Sequence, residues 1–136
     1  MRIYNEQLGK TREDLHTTKT QRIKERLMAS DEFGEVFVEV NKILWIERED
    51  RKTFIHTIED KYRLKENISE IEAKLNPDRF VRINRSSIIN LECLLNYSFW
   101  ENDKYIVRLK DSDKEFVMSR ERLQKIKHLL LEPVEV

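Results

Sequence analysis

The sequence predicts a mainly β fold with two small packing helices. Two observations predict it. From residue 22 onward, short apolar stretches alternate with turn-forming residues, which is typical of a protein built from short strands. Apolar residues follow a helical period in only two short segments. The chain has 136 residues, of which 39% are hydrophobic, and this is enough for one compact core but too little for two ordinary domains.

The first residues of the chain differ from the rest. Residues 1–21 are polar and show no convincing apolar period, so they are predicted to form a flexible linker or arm. Leu8, Leu15 and Ile23 are spaced roughly as in a heptad repeat, but so few turns do not establish a coiled coil. The folded domain is therefore expected to span residues 22–136.

The strands are predicted from apolar stretches bounded by turn chemistry. They are residues 23–29, 35–40, 44–47, 53–58, 61–65, 80–83, 94–100, 105–109 and 114–118. The first two flank a five-residue connection that contains Gly34, which is typical of a hairpin. The charged residues 48–52 connect the third strand to the fourth, and Glu59-Asp60 turns the chain into the fifth.

Two amphipathic helices interrupt the strands, and each has identifiable ends. Asn67 can cap the first helix, with Glu70 three residues later, and Pro77 stops it. Ser119 can cap the second helix, and Pro133 limits its length. The apolar stripes are Ile68, Ile71 and Leu75 in the first helix and Leu123, Ile126 and Leu130 in the second. Each helix is therefore expected to lie on a sheet.

The charge is balanced overall but not along the chain. Lys+Arg and Asp+Glu both number 26, so the net charge does not indicate a polyanionic partner. Residues 79–128, however, carry 11 basic against 7 acidic residues, whereas residues 1–78 carry 15 against 17 and the last eight carry 0 against 2. A local basic face could still attract phosphates, since fields act within a Debye length of about 10 Å.

Several classes of protein are disfavoured. Cys93 is the only cysteine, which excludes an intramolecular disulfide and a cysteine-rich metal site. The polar first residues do not resemble a signal peptide, and no apolar run approaches the roughly 20 residues needed to span a bilayer. We therefore expect a cytoplasmic protein that does not act at a membrane.

Catalytic chemistry is not predicted either. His16, His56 and His128 share no metal-ligand spacing, so structural roles are favoured for them. Cys93 has no adjacent positive group and is expected to pack in or at the edge of the core. With only Gly9 and Gly34, the chain has no glycine-rich phosphate loop. We expect no enzyme activity, no metal and no cofactor.

Two segments could contact nucleic acid. Trp45 lies in an apolar run that is expected in the core, but Tyr97, Phe99 and Trp100 could stack on single-stranded bases. The other segment is a polar window at residues 82–87. Arginine and asparagine can make bidentate contacts to guanine and adenine, and serine hydroxyls suit phosphate oxygens. An ordinary solvated strand end would have a similar composition. The polar side chains of this window are Arg82, Asn84, Arg85, Ser86 and Ser87.

At this window the sequence resembles the LytTR family of DNA-binding domains, whose members carry a phenylalanine-arginine-histidine-arginine-serine pattern, an apolar pair and an asparagine. The matching residues are Phe80, Arg82, Asn84-Arg85-Ser86, Ile88-Ile89 and Asn90. Residues 43–47, 64–75, 105–109 and 117–120 resemble other family segments in the same order, so the likeness runs from about residue 22 to residue 131. The resemblance implies a bacterial two-component transcription regulator with several small antiparallel sheets, whose loops enter successive major grooves.

The resemblance also implies three loops that face DNA. Asn84 replaces the family's usual histidine, and Glu121 would stand where some relatives place a basic contact residue, so the base preference stays open. The residues implied in DNA binding are Arg51 and Lys52 in the first loop, Arg82, Asn84, Arg85 and Ser86 in the second, and Ser119, Arg120 and Arg122 in the third.

The expected partner is double-stranded promoter DNA with repeated half-sites about 10 bp apart, bound by two copies of the domain. LytTR domains commonly follow a receiver domain, which residues 1–21 are too short to form. The chain could be a fragment of a longer regulator, with an upstream receiver domain or a sensor kinase as partner, or it could act without a receiver. Two other functions stay open: a protein-interaction module on the same fold, and single-strand binding through the aromatic segment.

Overall fold

The computed structural model of the chain describes residues 24–130. These residues form ten strands, two α-helices and two short 3-10 helices, at Val40–Lys42 and Leu91–Cys93. In chain order, strands β1 to β10 are Arg26–Asp31, Gly34–Glu39, Trp45–Glu49, Lys52–His56, Lys61–Leu64, Phe80–Asn84, Ser87–Asn90, Leu94–Glu101, Lys104–Leu109 and Glu115–Ser119, and helices α1 and α2 are Ile68–Glu72 and Arg120–Leu130. Residues 1–21, the predicted arm, lie outside the described residues, as do Ile23 and Pro133. No helix within residues 24–130 is long and apolar enough to cross a membrane.

The strands form two antiparallel sheets. The larger has seven strands in the order β2-β1-β5-β4-β3-β7-β6, and the smaller has three in the order β10-β9-β8. The β1–β2 hairpin joins the larger sheet through one residue pair, Ser30 with Arg63. The predicted fold class, a mainly β chain of antiparallel sheets with two small helices, is confirmed.

The apolar residues divide into two buried clusters. The first lies under α1 and the β1–β2 hairpin, with Leu27, Val38, Ile46, Ile55, Ile68 and Ile71 among its members. The second joins the two sheets to α2, with Trp45, Val81, Ile89, Phe116, Met118 and Leu123 among its members. Burial of this apolar surface is the main force that holds the sheets together. The run from Ile43 to Ile46 is buried throughout, as predicted.

The predicted helix caps are present in the structure. The side-chain Oδ1 of Asn67 accepts a hydrogen bond from the Glu70 amide at 2.8 Å, and Glu70 Oε1 accepts one from the Asn67 amide at 2.9 Å. This reciprocal pair is a capping box, and it satisfies amides that the helix leaves free. At α2, Ser119 Oγ accepts a hydrogen bond from the Arg122 amide at 3.1 Å. Helix α1 ends at Glu72, and Leu75 is buried in the turn that follows it.

One strand was absent from the sequence-based prediction. β7 lies between β3 and β6, and all four of its residues are buried. A strand that is buried on both faces has no alternation of polar and apolar residues, which removes the usual signal. Ser87, which the sequence placed in the polar window, is only 2% exposed in this strand. The polar window therefore ends in the interior of the sheet.

Candidate nucleic-acid interface

The first two predicted loops lie at the same end of the seven-stranded sheet. Strand β3 pairs with β7, with Glu47 opposite Ser87. One residue further, the Arg48 amide donates a hydrogen bond to the Ser86 carbonyl at 2.8 Å. The β3–β4 turn, which contains Arg51, therefore projects beside the β6–β7 turn.

The β6–β7 turn is held by the side chain of Asn84. Its Oδ1 accepts a hydrogen bond from the Ser86 amide at 2.9 Å, which closes the turn. Its Nδ2 donates to the Val117 carbonyl in β10 at 2.8 Å, which ties the larger sheet to the smaller one. Arg85, between Asn84 and Ser86 in the turn, is exposed. Both polar groups of Asn84 are thus engaged within the chain, whereas the Arg85 side chain faces solvent.

The guanidinium of Arg82 also has its partners within the chain. Nη2 donates to the Arg85 carbonyl at 2.6 Å, and Nε lies 3.3 Å from the Asn84 carbonyl. Nη1 lies 3.1 Å from both Ser69 Oγ and Glu72 Oε1 in α1. The Arg82 side chain is only 19% exposed. Arg82 therefore connects α1 to the backbone of the turn.

The third predicted loop is the junction between β10 and α2. Ser119 caps the helix, and the Arg120 amide donates to the Asp103 carbonyl in the β8–β9 turn at 2.6 Å. The Arg120 guanidinium Nε lies 3.7 Å from Asp103 Oδ1, and Arg120 is exposed. Arg122 is half-buried and has no hydrogen bond or ion pair through its side chain with the rest of residues 24–130.

The second and third loops meet in one open groove with a volume of about 490 Å³. Lys104 belongs to this groove because it pairs with Ser119 in the register of β9 and β10. Sequence reasoning missed Lys104, which lies 19 residues from the window at Arg85 and outside the segments that carry the resemblance. The groove is lined by Glu72, Arg82, Ile83, Asn84, Arg85, Lys104, Val117, Ser119 and Arg122.

The groove is electropositive. Arg85, Lys104 and Arg122 form no ion pair within the described part of the chain. The one acidic residue of the lining, Glu72, is paired with Arg82 at 3.1 Å. Three uncompensated cations beside amide and hydroxyl groups make a surface that suits phosphate oxygens and the edges of bases.

The β3–β4 turn adds two exposed cations at the same end of the sheet. Asp50 and Arg51 have φ angles of 53° and 69°, so this two-residue turn has both central residues in the left-handed region, as a type I′ hairpin requires. Glu49 pairs with Lys52 across the turn. Arg51 and Lys52 do not line the groove, but both are exposed beside the β6–β7 turn.

Comparison with known proteins identifies the family. The sequence model of the LytTr DNA-binding domain matches residues 34–131. The chain belongs to the LytTR family. This family is a class of DNA-binding domain rather than a class of enzyme.

Two curated relatives show the same likeness. The transcriptional regulatory protein YpdB of Escherichia coli K12 is 35% identical over 91 residues, which are 67% of this chain and 37% of YpdB. The sensory transduction protein LytT of Bacillus subtilis is 30% identical over 95 residues, which are 70% of this chain and 39% of LytT. The LytTR chain thus spans well under half the length of these relatives.

A solved structure shares the fold. The LytTr DNA-binding domain of a response regulator from Bacillus cereus superposes with a TM-score of 0.72 at 21% sequence identity, and the match covers 79% of this chain and 98% of that domain. The antiparallel sheets and two helices described above are therefore the LytTR fold.

The asparagine that ends the LytTR-like window has a structural role. Asn90 is 1% exposed, and its Nδ2 donates a hydrogen bond to the Ile43 carbonyl at 2.8 Å. Its Oδ1 accepts one from the Glu92 amide at 3.0 Å. Ile88 and Ile89, just before it, are fully buried in β7 and anchor the β6–β7 turn to the core. The window therefore combines an exposed turn with a buried support.

A cluster of ionisable groups lies on β3 and β4 of the LytTR domain, outside the groove. Donor atoms of Glu47, Glu49 and His56 lie within 4.8 Å of one another, a spacing that a metal ion could use. The carboxylates are instead engaged by lysines, Glu49 with Lys61 at 3.0 Å and Glu47 with Lys114 at 3.1 Å. These ion pairs give the acidic groups a structural role within the sheet.

Two pKa values in this cluster are shifted. Burial lowers the pKa of His56 and outweighs the opposing effect of the Glu49 carboxylate 3.0 Å away. Burial alone would raise the pKa of Glu49, but hydrogen bonds from Lys61 and His56 outweigh it, so that the net pKa lies below the usual value. The structure thus favours a neutral His56 beside an ionised Glu49.

The remaining residues that the sequence singled out lie away from the groove. Cys93 is half-buried, as expected, and packs against the apolar cluster that joins the two sheets to α2. Burial raises the pKa of its thiol. Phe99 and Trp100 are exposed on β8, an edge strand of the smaller sheet. Tyr97 and Phe99 both pack edge-on against Tyr105. Two of these aromatic side chains are therefore accessible, and they are the feature that the single-strand alternative would use.

Proposed function

We propose that this LytTR domain is a sequence-specific regulator that binds double-stranded promoter DNA and has no catalytic activity. The observation that carries the proposal is the groove in which Arg85, Lys104 and Arg122 converge without compensating acidic partners in the described chain. Phosphate contacts supply most of the affinity of such proteins, and contacts to base edges supply the specificity.

The proposal assigns different roles to the cations. Arg85 is the candidate base reader because it lies at the tip of a rigid turn and carries a planar fork that matches guanine O6 and N7. Lys104 and Arg122 supply charge to the phosphates that flank that base. Ser119 and Arg120 extend the contact along β10 and α2, and Ser86 adds a hydroxyl beside Arg85.

The β3–β4 turn is proposed to make the next contact along the DNA. Arg51 and Lys52 lie at the same end of the sheet as Arg85 but outside its groove, so they would meet a neighbouring stretch of the duplex. We propose that these separate loops enter successive major grooves, and their position at one end of the sheet supports this. Because the proposed target is promoter DNA, we also propose that the protein acts in the bacterial cytoplasm.

The proposal extends to other partners. The curated relatives are well over twice the length of their match to this chain, and two of them carry the names of regulatory or sensory transduction proteins. We infer that a receiver domain or a sensor kinase acts together with this domain. Two copies of the domain are proposed to occupy repeated half-sites on one face of the DNA.

The test compares two arginines of the groove with one outside it. Arg85→Ala should weaken binding to a selected cognate duplex by about 1–3 kcal/mol and relax the preference at one base position. Arg122→Ala should weaken binding to cognate and random duplexes by the same factor, because a phosphate contact carries no sequence information. Arg63→Ala is the matched control, since Arg63 is an exposed arginine on β5 that does not line this groove.

Affinities are measured on duplexes selected from a random pool, and thermal unfolding confirms that each variant is folded. Arg63→Ala should leave both affinities unchanged. If a folded Arg85→Ala protein keeps full discrimination, the base-reading residue lies in another loop.

A further inference from the structure

Arg82 differs from the other cations that line the groove. Its guanidinium bonds the side chains of Ser69 and Glu72 on one side and two backbone carbonyls of the β6–β7 turn on the other. The shortest of these contacts, at 2.6 Å, goes to the carbonyl of Arg85 itself. Hydrogen bonds that involve an ionised group are shorter and stronger than neutral ones. The backbone of the proposed base reader is thus fixed by Arg82.

Glu72 is the one acidic residue in the lining of the groove. A carboxylate near DNA repels phosphates, so Glu72 would oppose the proposed function unless it has another role. Its ion pair with Arg82 indicates that role, because the pair orients the Arg82 guanidinium toward the β6–β7 turn. Ser69 Oγ accepts a second hydrogen bond from the same nitrogen, Nη1, and both residues belong to α1.

We propose that Arg82 is a positioning residue, and that together with Ser69 and Glu72 it sets the direction in which Arg85 enters the DNA. Sequence discrimination then depends on side chains of α1 that make no contact with a base. The inference rests on the proposed function and replaces the direct DNA contact that the sequence indicated for Arg82. It also assigns a role to α1, because the capped helix fixes the positions of Ser69 and Glu72, whose side chains accept hydrogen bonds from Arg82.

The first test is Arg82→Lys, which keeps the charge but loses the planar fork that bonds two carbonyls and two side chains at once. The ratio of cognate to random affinity should fall by about tenfold, the size of one weakened base contact. The slope of log K against log[salt] should stay unchanged because the number of neutralised phosphates is the same.

Arg108→Lys is the matched control. Arg108 also bonds a carboxylate and two neutral side chains, Glu115, Asn96 and Ser98. It lies four residues along β9 from Lys104, about 13 Å at the usual rise of a strand. This variant should change neither the affinity ratio nor the salt slope.

The second test is Glu72→Gln, which separates positioning from electrostatics. Removing a negative charge from the groove should strengthen binding to random duplexes, whereas loosening of Arg82 should lower the ratio of cognate to random affinity. An effect of charge alone would strengthen binding to both duplexes equally and leave the ratio of cognate to random affinity unchanged. Glu72 is exposed, so this variant should fold even if Arg82→Lys does not.

The outcomes distinguish this inference from the proposed function. If the unaltered protein binds cognate and random duplexes equally, the proposed function fails. If the unaltered protein prefers the cognate duplex and both folded variants keep the same ratio of cognate to random affinity, the proposed function stands and the positioning role of Arg82 is wrong.

Discussion

At the scale of the residue, His56 shows how burial sets the charge state of one side chain. Its ring stacks on Trp45 with centroids 4.2 Å apart and an angle of 9° between the planes. Burial lowers the pKa of His56 from the usual 6.5, although Glu49 opposes this. The unfolded chain therefore takes up the proton at a higher pH than the folded chain. The stability that the neutral ring provides is present above about pH 6.5 and is lost as the pH falls below that value.

We predict that His56→Gln reduces the loss of stability between about pH 7.5 and about pH 5.5. The free energy of unfolding is measured by urea denaturation at both pH values, for the variant and for the unaltered chain. Glu49 does not interfere, because its pKa lies below the usual 4.5 and outside this range. An equal loss of stability in the two proteins would show that His56 does not contribute to the pH dependence.

At the scale of the element, the β3–β4 turn combines backbone strain with an exposed charge. A type I′ turn favours asparagine and glycine, but here Asp50 and Arg51 occupy the two left-handed positions. An L-residue with a bulky side chain costs on the order of 1 kcal/mol in that region. Strained residues of this kind cluster at functional sites. Arg51 lies at the end of the sheet that is proposed to contact DNA, so we expect its side chain to take part in binding.

We predict that Arg51→Gly raises the free energy of unfolding by about 1 kcal/mol and weakens duplex binding, because it relieves the strain and removes a cation. Asp50→Gly is the matched control at the neighbouring position. It should also stabilise the hairpin, but without weakening DNA binding. Chemical denaturation and binding assays on the same two variants check both effects. Equal loss of binding in the two variants would mean that turn geometry, rather than the Arg51 charge, matters for DNA.

The elements also show where sequence reasoning succeeded. Alternating apolar residues and recognisable caps located most strands and both helices, since these signals arise from local physics. Strand β7 was missed because it is buried on both faces. Asn67 and Ser119 were correctly predicted as the helix caps, and Glu70 was correctly predicted as the partner of Asn67.

The candidate site was predicted less completely, for a physical reason. Sequence shows which residues are polar but not which of them bond one another, so Arg82 and Asn84 were grouped with Arg85 although both are engaged within the chain. Lys104 was missed because only the pairing of β9 with β10 brings it to the groove. Arg85 and Arg122 line the same groove, and only the family resemblance had assigned their two loops to one DNA-binding surface.

At the scale of the whole molecule, a chain with no net charge presents a cationic groove. Acidic residues elsewhere are paired within the sheets, such as Glu49 with Lys61 and Glu115 with Arg108. The groove is small relative to a regulatory site on DNA, and one domain would cover few base pairs. We therefore expect two copies on half-sites about 10 bp apart, which places both on the same face of the duplex.

We predict that inserting about 5 bp between the half-sites abolishes cooperative binding, since half a helical turn moves the second copy to the opposite face. Inserting about 10 bp should restore the common face and part of the cooperativity. Gel-shift titration of the three duplexes measures the effect. Cooperativity that does not depend on this spacing would mean that the two copies do not meet on one face of the DNA.

If this domain binds double-stranded DNA through its exposed cations, as proposed, its affinity for a duplex depends steeply on salt concentration. Each neutralised phosphate contributes about −0.9 to the slope of log K against log[salt], so five phosphate contacts would give a slope of about −4.5. The cations proposed to contact phosphates are Arg51, Lys52, Lys104, Arg120 and Arg122, since Arg85 is assigned to a base. We expect a steep negative slope with a duplex and weaker binding to a single strand of the same sequence. A flat response, or equal binding to an uncharged analogue of the duplex, would contradict it.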